Sequence, residues 1–471
     1  MTITSRAVPL LHRKEWQMMT PAPVATAAGA FVIHDNADAD NLALLVSSAT
    51  VHYLYHHDED AWVQIPSGAL GGTFGVGACG ARGRWSATIT ANGGSTSTIT
   101  TTGAITSLCI GKTVRFLTGS NIGEERPVTG VILNATGGTS TIQLGGSALP
   151  NATSNGDTLV VDTGRFFVMS AGAVGATSFR AYDPLSTAWA SLTQTGLPAS
   201  WGTDGKMVTT PSHFAHATGT ASSGGATTLT VAGKNWTVNQ WTNYQLRITG
   251  GLGAGQVRTI ASNTATVLTV AAWATQPDAT STYSIEGNDD FIYLLGNNAV
   301  TMYRYSISGN SWSTLAPGSA RPAAPAVGMS ANWLANTGDT NWANEDDHRD
   351  GRFIYSFRGG AGNAIDRYDL ALNTWSAVSA YGPLAEVFGS GSGYDASGRY
   401  IFVRKDATNR FFKFSVRGQM LEPLSTNTYP DGAAIAGDKI WIMELPDGDG
   451  VRWLYSLQNT GVALHRVMLI E

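Results

Sequence analysis

The sequence has few of the residues that build covalent or metal-bound frameworks. Only Cys79 and Cys109 occur among 471 residues, and neither belongs to a metal-ligand spacing. Two thiols cannot form the disulfide framework of a small secreted protein. We therefore interpret both as free or buried thiols of a chain that folds in a reducing cytosol.

Charge and long apolar runs are also scarce. Charged residues make up 13% of the chain, and the formal net charge is −5. Neutralising phosphates requires clustered Lys and Arg, so this balance argues against nucleic-acid binding. No run of about 20 apolar residues could span a membrane. Arg6, Arg13 and Lys14 precede no apolar stretch of the signal-peptide type. We expect neither membrane insertion nor sequence-specific nucleic-acid binding.

What the chain does contain favours an all-β protein. It has 55 glycines and many Ser and Thr residues, which is typical of turn-rich β structure. Residues 367–375 hold a tyrosine and a tryptophan seven positions apart, and this pair recurs after apolar, β-branched runs. The four pairs are Tyr55/Trp62, Tyr182/Trp189, Tyr305/Trp312 and Tyr368/Trp375.

This spacing predicts a hairpin in every copy. A four-residue loop would place each tyrosine opposite its tryptophan, and a cross-strand aromatic pair fixes the register of the two strands. Asp183, Ser306 and Asp369, each directly after the tyrosine, can hydrogen-bond the turn backbone. Two weaker copies, Phe414/Leu421 and Tyr455/Val462, bring the number of units to six.

The repeated unit resembles the kelch motif. Tyr368-Asp369 and Trp375, preceded by the glycine pair Gly359-Gly360, carry the resemblance. A kelch repeat is one four-stranded blade of a propeller, so the resemblance implies a six-bladed kelch-like β-propeller. We assign it residues 26–85, 162–216 and 287–471. Residues 1–25 are an arm that either supplies a closing strand to the last blade or reaches a neighbouring subunit.

Two segments interrupt the repeats, residues 86–161 and 217–286. Both are rich in Ser, Thr and Gly and alternate short apolar runs with polar residues. Alignment places Val114 against Gln245 and, after one gap, Gly123 against Gly255. We interpret them as two copies of one small β-barrel or sandwich, inserted at equivalent blade loops and projecting from one rim.

The second insert also resembles a known module. Residues 253–260 read Gly-Ala-Gly-Gln-Val-Arg-Thr-Ile, which is similar to small repeated modules in structural proteins of tailed bacteriophages. The first copy departs from this wording at Glu124-Glu125. The resemblance implies a role in a phage particle.

Several polar clusters are candidates for chemistry, and a structural interpretation is favoured for each. His56, His57, Asp58 and Asp60 lie in one hairpin turn, where neighbouring side chains point to opposite faces. His213 and His216 have metal-like spacing only in a helix. The acidic loop 344–350 lacks the calcium-binding EF-hand order. The glycine-rich segment 250–256 lacks the Lys-Ser/Thr pair of a phosphate loop.

No catalytic, cofactor-binding or metal site is therefore predicted, and the chain is not expected to be an enzyme. Kelch-type copper radical oxidases need tyrosine and histidine ligands near the propeller axis, whereas the nine histidines here are scattered. The eight aromatic residues of the four pairs are interpreted as structural core residues of the blades.

Two functions remain open. The favoured one is a structural virion protein at the tail, such as a nozzle, tip or baseplate-type protein, assembled in the host cytoplasm. We expect it to form a six-fold homo-oligomeric ring and to contact other tail proteins. The alternative is a propeller that binds a host receptor or glycan on a virion or cell surface. Fold alone does not decide between them.

Overall fold

The computed structural model gives the backbone of most of the chain. It describes residues 16–26, 30–34, 42–46, 51–57, 59–66, 77–134, 138–170, 179–198, 200–210, 215–333, 352–360, 362–370, 372–378, 388, 392–397, 400–405, 408, 410–416, 418–424, 439–444, 452–458 and 461–469. Within these ranges the protein is all-β in many small sheets, and its one helical turn is the 3-10 turn Ser107–Cys109.

Six of the sheets have four antiparallel strands each, and they are numbered here from first to sixth along the chain. In the first three, the strands in spatial order are Phe31–Ile33, Leu42–Val46, His52–His56 and Ala61–Ile65; Cys79–Gly83, Arg165–Met169, Phe179–Asp183 and Ala188–Ser191; Lys206–Thr209, Phe291–Leu295, Met302–Ser306 and Ser311–Thr314. In the last three they are Asn332–Trp333, Phe353–Phe357, Ile365–Asp369 and Thr374–Val378; Gly393–Ser397, Tyr400–Arg404, Phe411–Ser415 and Met420–Pro423; Lys439–Glu444, Arg452–Leu457, Leu464–Leu469 and Gln17–Met18.

These sheets pack on one another in a cycle. The first strand of each sheet contacts the first strand of the next, and that of the sixth contacts that of the first. Each of six apolar clusters is shared by two consecutive sheets. Phe166 and Val168 pack towards the first sheet, whereas Phe167 and Met169 pack towards the third. Alternate residues of one strand thus bury both faces of their sheet, which explains its continuous apolar run.

The amino-terminal segment completes the sixth sheet. Gln17 lies opposite Arg466 and Met18 opposite His465, in antiparallel pairing. Beyond this strand, the backbone N–H of Met19 donates to Leu464 O at 2.8 Å. The segment was expected either to supply a closing strand to the last sheet or to reach a neighbouring subunit. The described residues pair with the last sheet.

The aromatic hairpins have a uniform geometry. Each tyrosine lies directly opposite its tryptophan, and the ring centroids are 4.7 to 5.3 Å apart. The turn backbone is bonded as predicted, since Leu185 N–H donates to Asp183 Oδ1 at 2.9 Å and Leu372 N–H to Asp369 Oδ1 at 3.0 Å. The equivalent bond from Gly309 N–H to Ser306 Oγ is 3.0 Å long. One local design therefore recurs in these turns.

The tryptophans of the four pairs differ in burial, which the interpretation of all eight aromatic residues as core did not anticipate. Trp312 and Trp375 are buried, and the Trp312 ring centroid lies 5.0 Å from that of Phe179 in the preceding sheet. Trp62 and Trp189 are only half-buried, and their indole N–H groups donate to backbone carbonyls at 3.0 and 2.9 Å. All four tryptophans lie on the outermost strand of a sheet, so the difference comes from what covers each ring; the guanidinium carbon of Arg321, for example, lies 4.9 Å from the Trp375 ring centroid.

A feature that the sequence interpretation missed is the left-handed residue at the end of each turn. Five residues after the first aromatic residue of each of five units, φ is positive at Asp60, Thr187, Asn310, Asn373 and Gln419. Asp and Asn tolerate this conformation better than most residues. Their side chains also accept the tyrosine hydroxyl, at 2.6 Å for Asp60, 2.7 Å for Asn310 and 2.5 Å for Asn373.

The proposed sixth pair, Tyr455/Val462, is wrong. Tyr455 lies opposite Arg466, and Val462 is exposed in the loop before the next strand. The loop between the paired residues Leu457 and Leu464 is longer than the four-residue loop of the other units, so residues seven apart no longer face each other. Phe414 does lie opposite Leu421.

The inserted segments form two further β structures. In the first, six strands close a ring in the order Glu125–Leu133, Ser140–Leu144, Thr98–Thr101, Ile89–Gly94, Asn155–Val161 and Thr113–Phe116. In the second, seven strands follow the order Ala215–Thr220, Thr282–Glu286, Gln245–Gly250, Val257–Asn263, Val267–Val270, Thr228–Thr230 and Ser223–Gly225. Ala215 and His216 thus belong to the second insert and not to the preceding predicted segment.

The two inserts share connectivity and detail. Both have a register shift at the same point of their longest hairpin, between Val128 and Gly130 and between Ile260 and Ser262. The first and last strands of the second sheet, Ala215–Thr220 and Ser223–Gly225, are nearly consecutive in the chain, as one strand broken at a bend would be.

The alignment used in the sequence interpretation was one residue out of register in the middle strand. Gly123 N–H donates to Phe116 O and Gly255 N–H to Ile248 O, both at 2.8 Å. Phe116 therefore corresponds to Ile248, and Arg115 corresponds to Arg247. With this correspondence the two inserts align from Arg115 to Gly123 without a gap.

Replacing the buried Trp375 by Ala should lower the free energy of unfolding by about 3–5 kcal/mol, because it empties the space between two sheets. Trp189 is only partly buried, so Trp189→Ala should cost less. Urea unfolding of both variants measures the difference. Equal and negligible costs would contradict the interpretation of these residues as core pairs.

Candidate functional site

The most unusual concentration of buried charge lies where the two inserts leave the four-stranded sheets. Arg84 and Trp85 lead from the second sheet into the first insert, and Asp289 follows the last strand of the second insert. We call this cluster the insert junction; its members are Arg84, Trp85, Arg115, Glu125, Asp162, Gln245, Arg247, Glu286 and Asp289.

Glu125 is the centre of the insert junction. One carboxylate oxygen accepts from Arg115 Nε at 2.5 Å, within the same insert. The other accepts from Nη1 of Arg247 in the second insert. Arg115 and Arg247 occupy equivalent positions in the two copies, so a single carboxylate serves the same arginine of both inserts. Charge-assisted bonds of this kind are stronger than neutral ones.

A second carboxylate joins the bases of the inserts. Asp289 accepts from Trp85 Nε1 and from Gln245 Nε2, both at 2.7 Å. The guanidinium carbons of Arg84 and Arg115 lie 4.6 and 4.2 Å from the Trp85 ring centroid, in cation–π geometry. Asp289 therefore connects the start of the first insert to the end of the second.

The outer members of the junction hold the arginines in place. Arg247 Nε donates to Glu286 Oε1 at 2.9 Å and its Nη2 to Oε2 at 3.0 Å. Arg84 Nη2 donates to Asp162 Oδ2 at 3.1 Å. Both acidic residues end the last strand of an insert or follow it directly. These bonds orient Arg247 towards Glu125 and Arg84 towards Asp289.

The charges of the junction stabilise one another. Burial alone would raise the pKa of Glu125, but Arg115 and Arg247 outweigh burial, and the pKa is lowered. Burial opposes the charged form of Arg247 in the same way, while its bonds with Glu286 and Glu125 raise its pKa. For the neighbouring Glu124, burial prevails over Arg126 and the pKa is raised. The pKa values of the adjacent Glu124 and Glu125 are therefore shifted in opposite directions.

Close contacts between a glycine and an arginine beside the junction are reciprocal. Val257 N–H donates to Gly123 O at 3.1 Å, across the two inserts. A Cβ added to Gly123 would overlap Nη1 of Arg258, and one added to the equivalent Gly255 would lie 3.4 Å from Nη1 of Arg126. Each copy thus places its glycine against the arginine of the other. The inserts meet around an approximate two-fold axis.

The eight aromatic residues predicted from the sequence lie outside this junction. The tyrosines are buried in the hairpins of the four-stranded sheets, as are two of the tryptophans, while the other two tryptophans are half-buried. Burial raises the pKa of Tyr182 to about 12, as it does that of Tyr305. These eight residues pack within their own hairpins and against neighbouring sheets, and they do not converge on a common site. They are Tyr55, Trp62, Tyr182, Trp189, Tyr305, Trp312, Tyr368 and Trp375.

The other candidates are held by ordinary protein contacts. His57 Nε2 accepts from Trp441 Nε1 at 2.8 Å, and Asp60 accepts from Tyr55. His216 packs edge-on against Tyr244 inside the second insert. Asp58, His213 and the acidic loop 344–350 lie outside the described residues. Over the ranges that the structure does describe, no group of three His, Cys, Asp or Glu residues could hold a metal ion.

The glycine-rich segment 250–256 is a turn closed by its own glutamine. Gln256 Nε2 donates to Gly253 O at 3.0 Å, and its Oε1 accepts from Ala274 N–H at 2.8 Å. Gly251, Gly253 and Gly255 all have positive φ. These glycines allow the tight turn that Gln256 closes. The segment is therefore a turn, as predicted from the sequence, and does not resemble a phosphate loop.

Sequence interpretation did not find the insert junction, although one signal was present. Glu124-Glu125 of the first copy stands where the second copy has Gln256-Val257. Two copies of one domain tend to differ where one copy makes a contact that the other does not make. Two acidic residues in the first insert at this place therefore indicate a positively charged partner.

Comparison with known proteins finds no matching protein family and no matching curated protein. The solved structure of YjhT is 9% identical, with 97% of each chain covered and a TM-score of 0.39. The hydrazine synthase of Kuenenia stuttgartiensis is 10% identical over 38% of this chain and 46% of that chain, with a TM-score of 0.21. Similarity at this level assigns neither a fold nor a function. No helix in the part of the chain described is long and apolar enough to cross a membrane.

Replacing Glu125 by Gln should destabilise the paired inserts by about 3–5 kcal/mol, because two buried arginines lose their shared counter-charge. Hydrogen exchange at the Val257 amide, which donates across the inserts, should accelerate. Glu422→Gln provides the matched control. Its ion pair with Lys413 is 3.4 Å long and partly exposed, so removal should cost under about 1 kcal/mol. Equal effects of the two substitutions would show that the junction contributes nothing special.

The contribution of Glu125 should also depend on pH. Its pKa is lower in the folded chain than the ordinary value of about 4.3. The stabilisation is therefore fully present above that ordinary value and is lost as pH falls through the folded pKa. The difference in unfolding free energy between wild type and Glu125→Gln, measured from neutral to acid pH, should shrink only at the acid end. A difference that grew on acidification would contradict this assignment.

Proposed function

We propose that this chain is a structural component of a bacteriophage particle, in which a six-bladed kelch-like propeller carries two small β-barrels on one rim. It acts at the tail, as a nozzle, tip or baseplate-type protein, without catalysis or cofactor. Its partners are further copies of itself in a six-fold ring and other tail proteins. It resides in the virion after assembly in the host cytoplasm.

The cyclic packing of the six four-stranded sheets supports the propeller. The first and sixth sheets share an apolar cluster that includes Tyr55 and Trp441, and each of the six four-stranded sheets contacts the one before it and the one after it. Each insert lies between the first and second strand of its sheet, after Cys79–Gly83 in one case and Lys206–Thr209 in the other. Equivalent loops of a propeller open on one rim, so both inserts emerge there.

The insert junction is the observation that carries the structural role. Recognition and catalysis need polar groups directed at a ligand, whereas Glu125 and Asp289 are bonded to groups of the chain itself. Two copies of one domain are thus joined by buried ion pairs into a single projecting unit. A rigid projection suits assembly better than turnover.

Cryo-electron microscopy of particles that contain the chain tests this function. We expect closed six-fold density at the tail, with the paired inserts on one rim of each subunit. Antibody labelling of the same particles identifies the density. A single unpaired copy, or labelling of the capsid surface, would contradict the proposal. Binding of the purified chain to host glycans, together with such labelling, would favour the receptor-binding alternative.

A further inference from the structure

The sequence contains two Asn-Gly dipeptides, and the fold brings them together. They are Asn92-Gly93 and Asn155-Gly156. In the first insert, Asn92 of the strand Ile89–Gly94 lies directly opposite Asn155, the first residue of the strand Asn155–Val161, in antiparallel pairing. Asparagine is a chemically labile residue. A following glycine makes it most labile, because glycine has no Cβ to hinder attack by its backbone nitrogen.

The loss of the side-chain amide requires only the chain itself and water. The backbone nitrogen of the glycine attacks Cγ of the asparagine and forms an N–Cγ bond. The bond from Cγ to Nδ2 breaks, and the amide leaves as ammonia with the proton that the backbone nitrogen gives up. The cyclic succinimide then adds water, and either of its two N–C bonds opens to give an aspartate or an isoaspartate. A neutral amide thereby becomes a carboxylate at neutral pH.

Both asparagine side chains are accessible to this reaction. Asn92 and Asn155 are exposed, and neither side-chain amide forms a hydrogen bond in the part of the chain that the structure describes. Asn121 of the same insert is the opposite case. It is buried, its Nδ2 donates to Asn151 O at 2.9 Å, and its Oδ1 accepts from Asn151 N–H at 3.1 Å. Asn92 and Asn155 lack such bonds to hold their side chains in place.

The backbone at both glycines departs from a regular strand. The φ angle is 87° at Gly93 and 89° at Gly156, in the region that favours glycine. The register shifts beside both glycines, in the pairing of their strands with each other and with the strand Thr98–Thr101. A Cβ added to Gly156 would meet no atom within 4 Å, and one added to Gly93 would meet a single backbone oxygen at 4.0 Å. Little packing therefore opposes the backbone movement that the attack requires.

We propose that Asn92 and Asn155 form a paired site of spontaneous deamidation in the first insert. Conversion of both asparagines places like charges directly opposite each other, which destabilises the pairing of two strands. Residues 86–111 and 134–156 contain no Lys or Arg to offset these charges, and Asp157 is a further acidic residue close by. The pairing of these two strands therefore weakens with time after synthesis. The site is independent of any role in a virion.

Peptide mass spectrometry of the folded full-length chain during incubation at neutral pH measures the conversion. Asn92 and Asn155 should become acids several-fold faster than Asn121 and Asn298. Asn298 is the matched control, because it is exposed but precedes alanine. The same chain unfolded in urea provides the rate without the fold. Conversion of the pair in urea alone, conversion of only one of its members, or equal rates at all four asparagines in the folded chain would overturn the proposal.

Variants that carry the product charge measure the consequence. Asn92→Asp and Asn155→Asp combined should lower the free energy of unfolding by more than the sum of the single substitutions. Thr153 N–H, which donates to Ser95 O at 3.4 Å beside the pair, should exchange up to about fivefold faster in the double variant. Asn92→Asp combined with Asn155→Lys is the matched control and should show neither effect, because opposite charges attract across the strands. Additive losses in the double aspartate variant would overturn the proposed weakening.

Discussion

Each four-stranded sheet must cover both of its faces, and most of the described structure follows from that requirement. Strands such as Leu42–Val46 and Phe353–Phe357 are buried at every residue, so neither face of their sheets can be left to water. A row of such sheets would always leave two faces bare, whereas a cycle leaves none. The aromatic hairpins and the left-handed Asn310 and Asn373 fix the register within each sheet so that its apolar residues reach both neighbours.

The inserts follow a different principle, because they have apolar cores of their own and need the sheets only as a base. Charged side chains join them, together with the backbone bond from Val257 N–H to Gly123 O. A buried ion pair gains little over an apolar contact, but one that is incomplete is costly, so it favours a single arrangement of the inserts. The second copy has Val257 where the first has Glu125. A glutamate in both places would bring two carboxylates to one pair of arginines.

The local hairpins could be predicted from the sequence, whereas the burial of their tryptophans and the insert junction could not, for physical reasons. The hairpins of Tyr305/Trp312 and Tyr368/Trp375 are local, and the seven-residue spacing specifies their register. The same spacing says nothing of burial, because the depth of Trp62 depends on what the neighbouring sheet and the amino-terminal segment cover. The insert junction depends on Arg115 and Arg247, which are 132 positions apart. Only the fold brings such distant residues to one carboxylate.

The repeat of the inserts was visible in the sequence too, but its register was not. Matching the Thr-Gly pairs that follow the middle strands shifted that strand by one residue. In a β-strand such a shift moves every side chain to the opposite face, so the correspondence of the two arginines stayed hidden. The hydrogen bonds of Gly123 and Gly255 supply the missing reference point.

The pairing of Gln17–Met18 with Leu464–Leu469 also has a consequence for the order of synthesis. The strand Gln17–Met18 leaves the ribosome long before its partner Leu464–Leu469. Until Leu464–Leu469 is translated, this early strand therefore has no partner. Chains that stop short of Leu464 leave the early strand unpaired and lack Leu464 in the apolar cluster shared by the first and sixth sheets. The sixth sheet is therefore completed only in chains that are translated at least to Leu464. Shorter chains expose apolar surface of the kind that chaperones and proteases recognise.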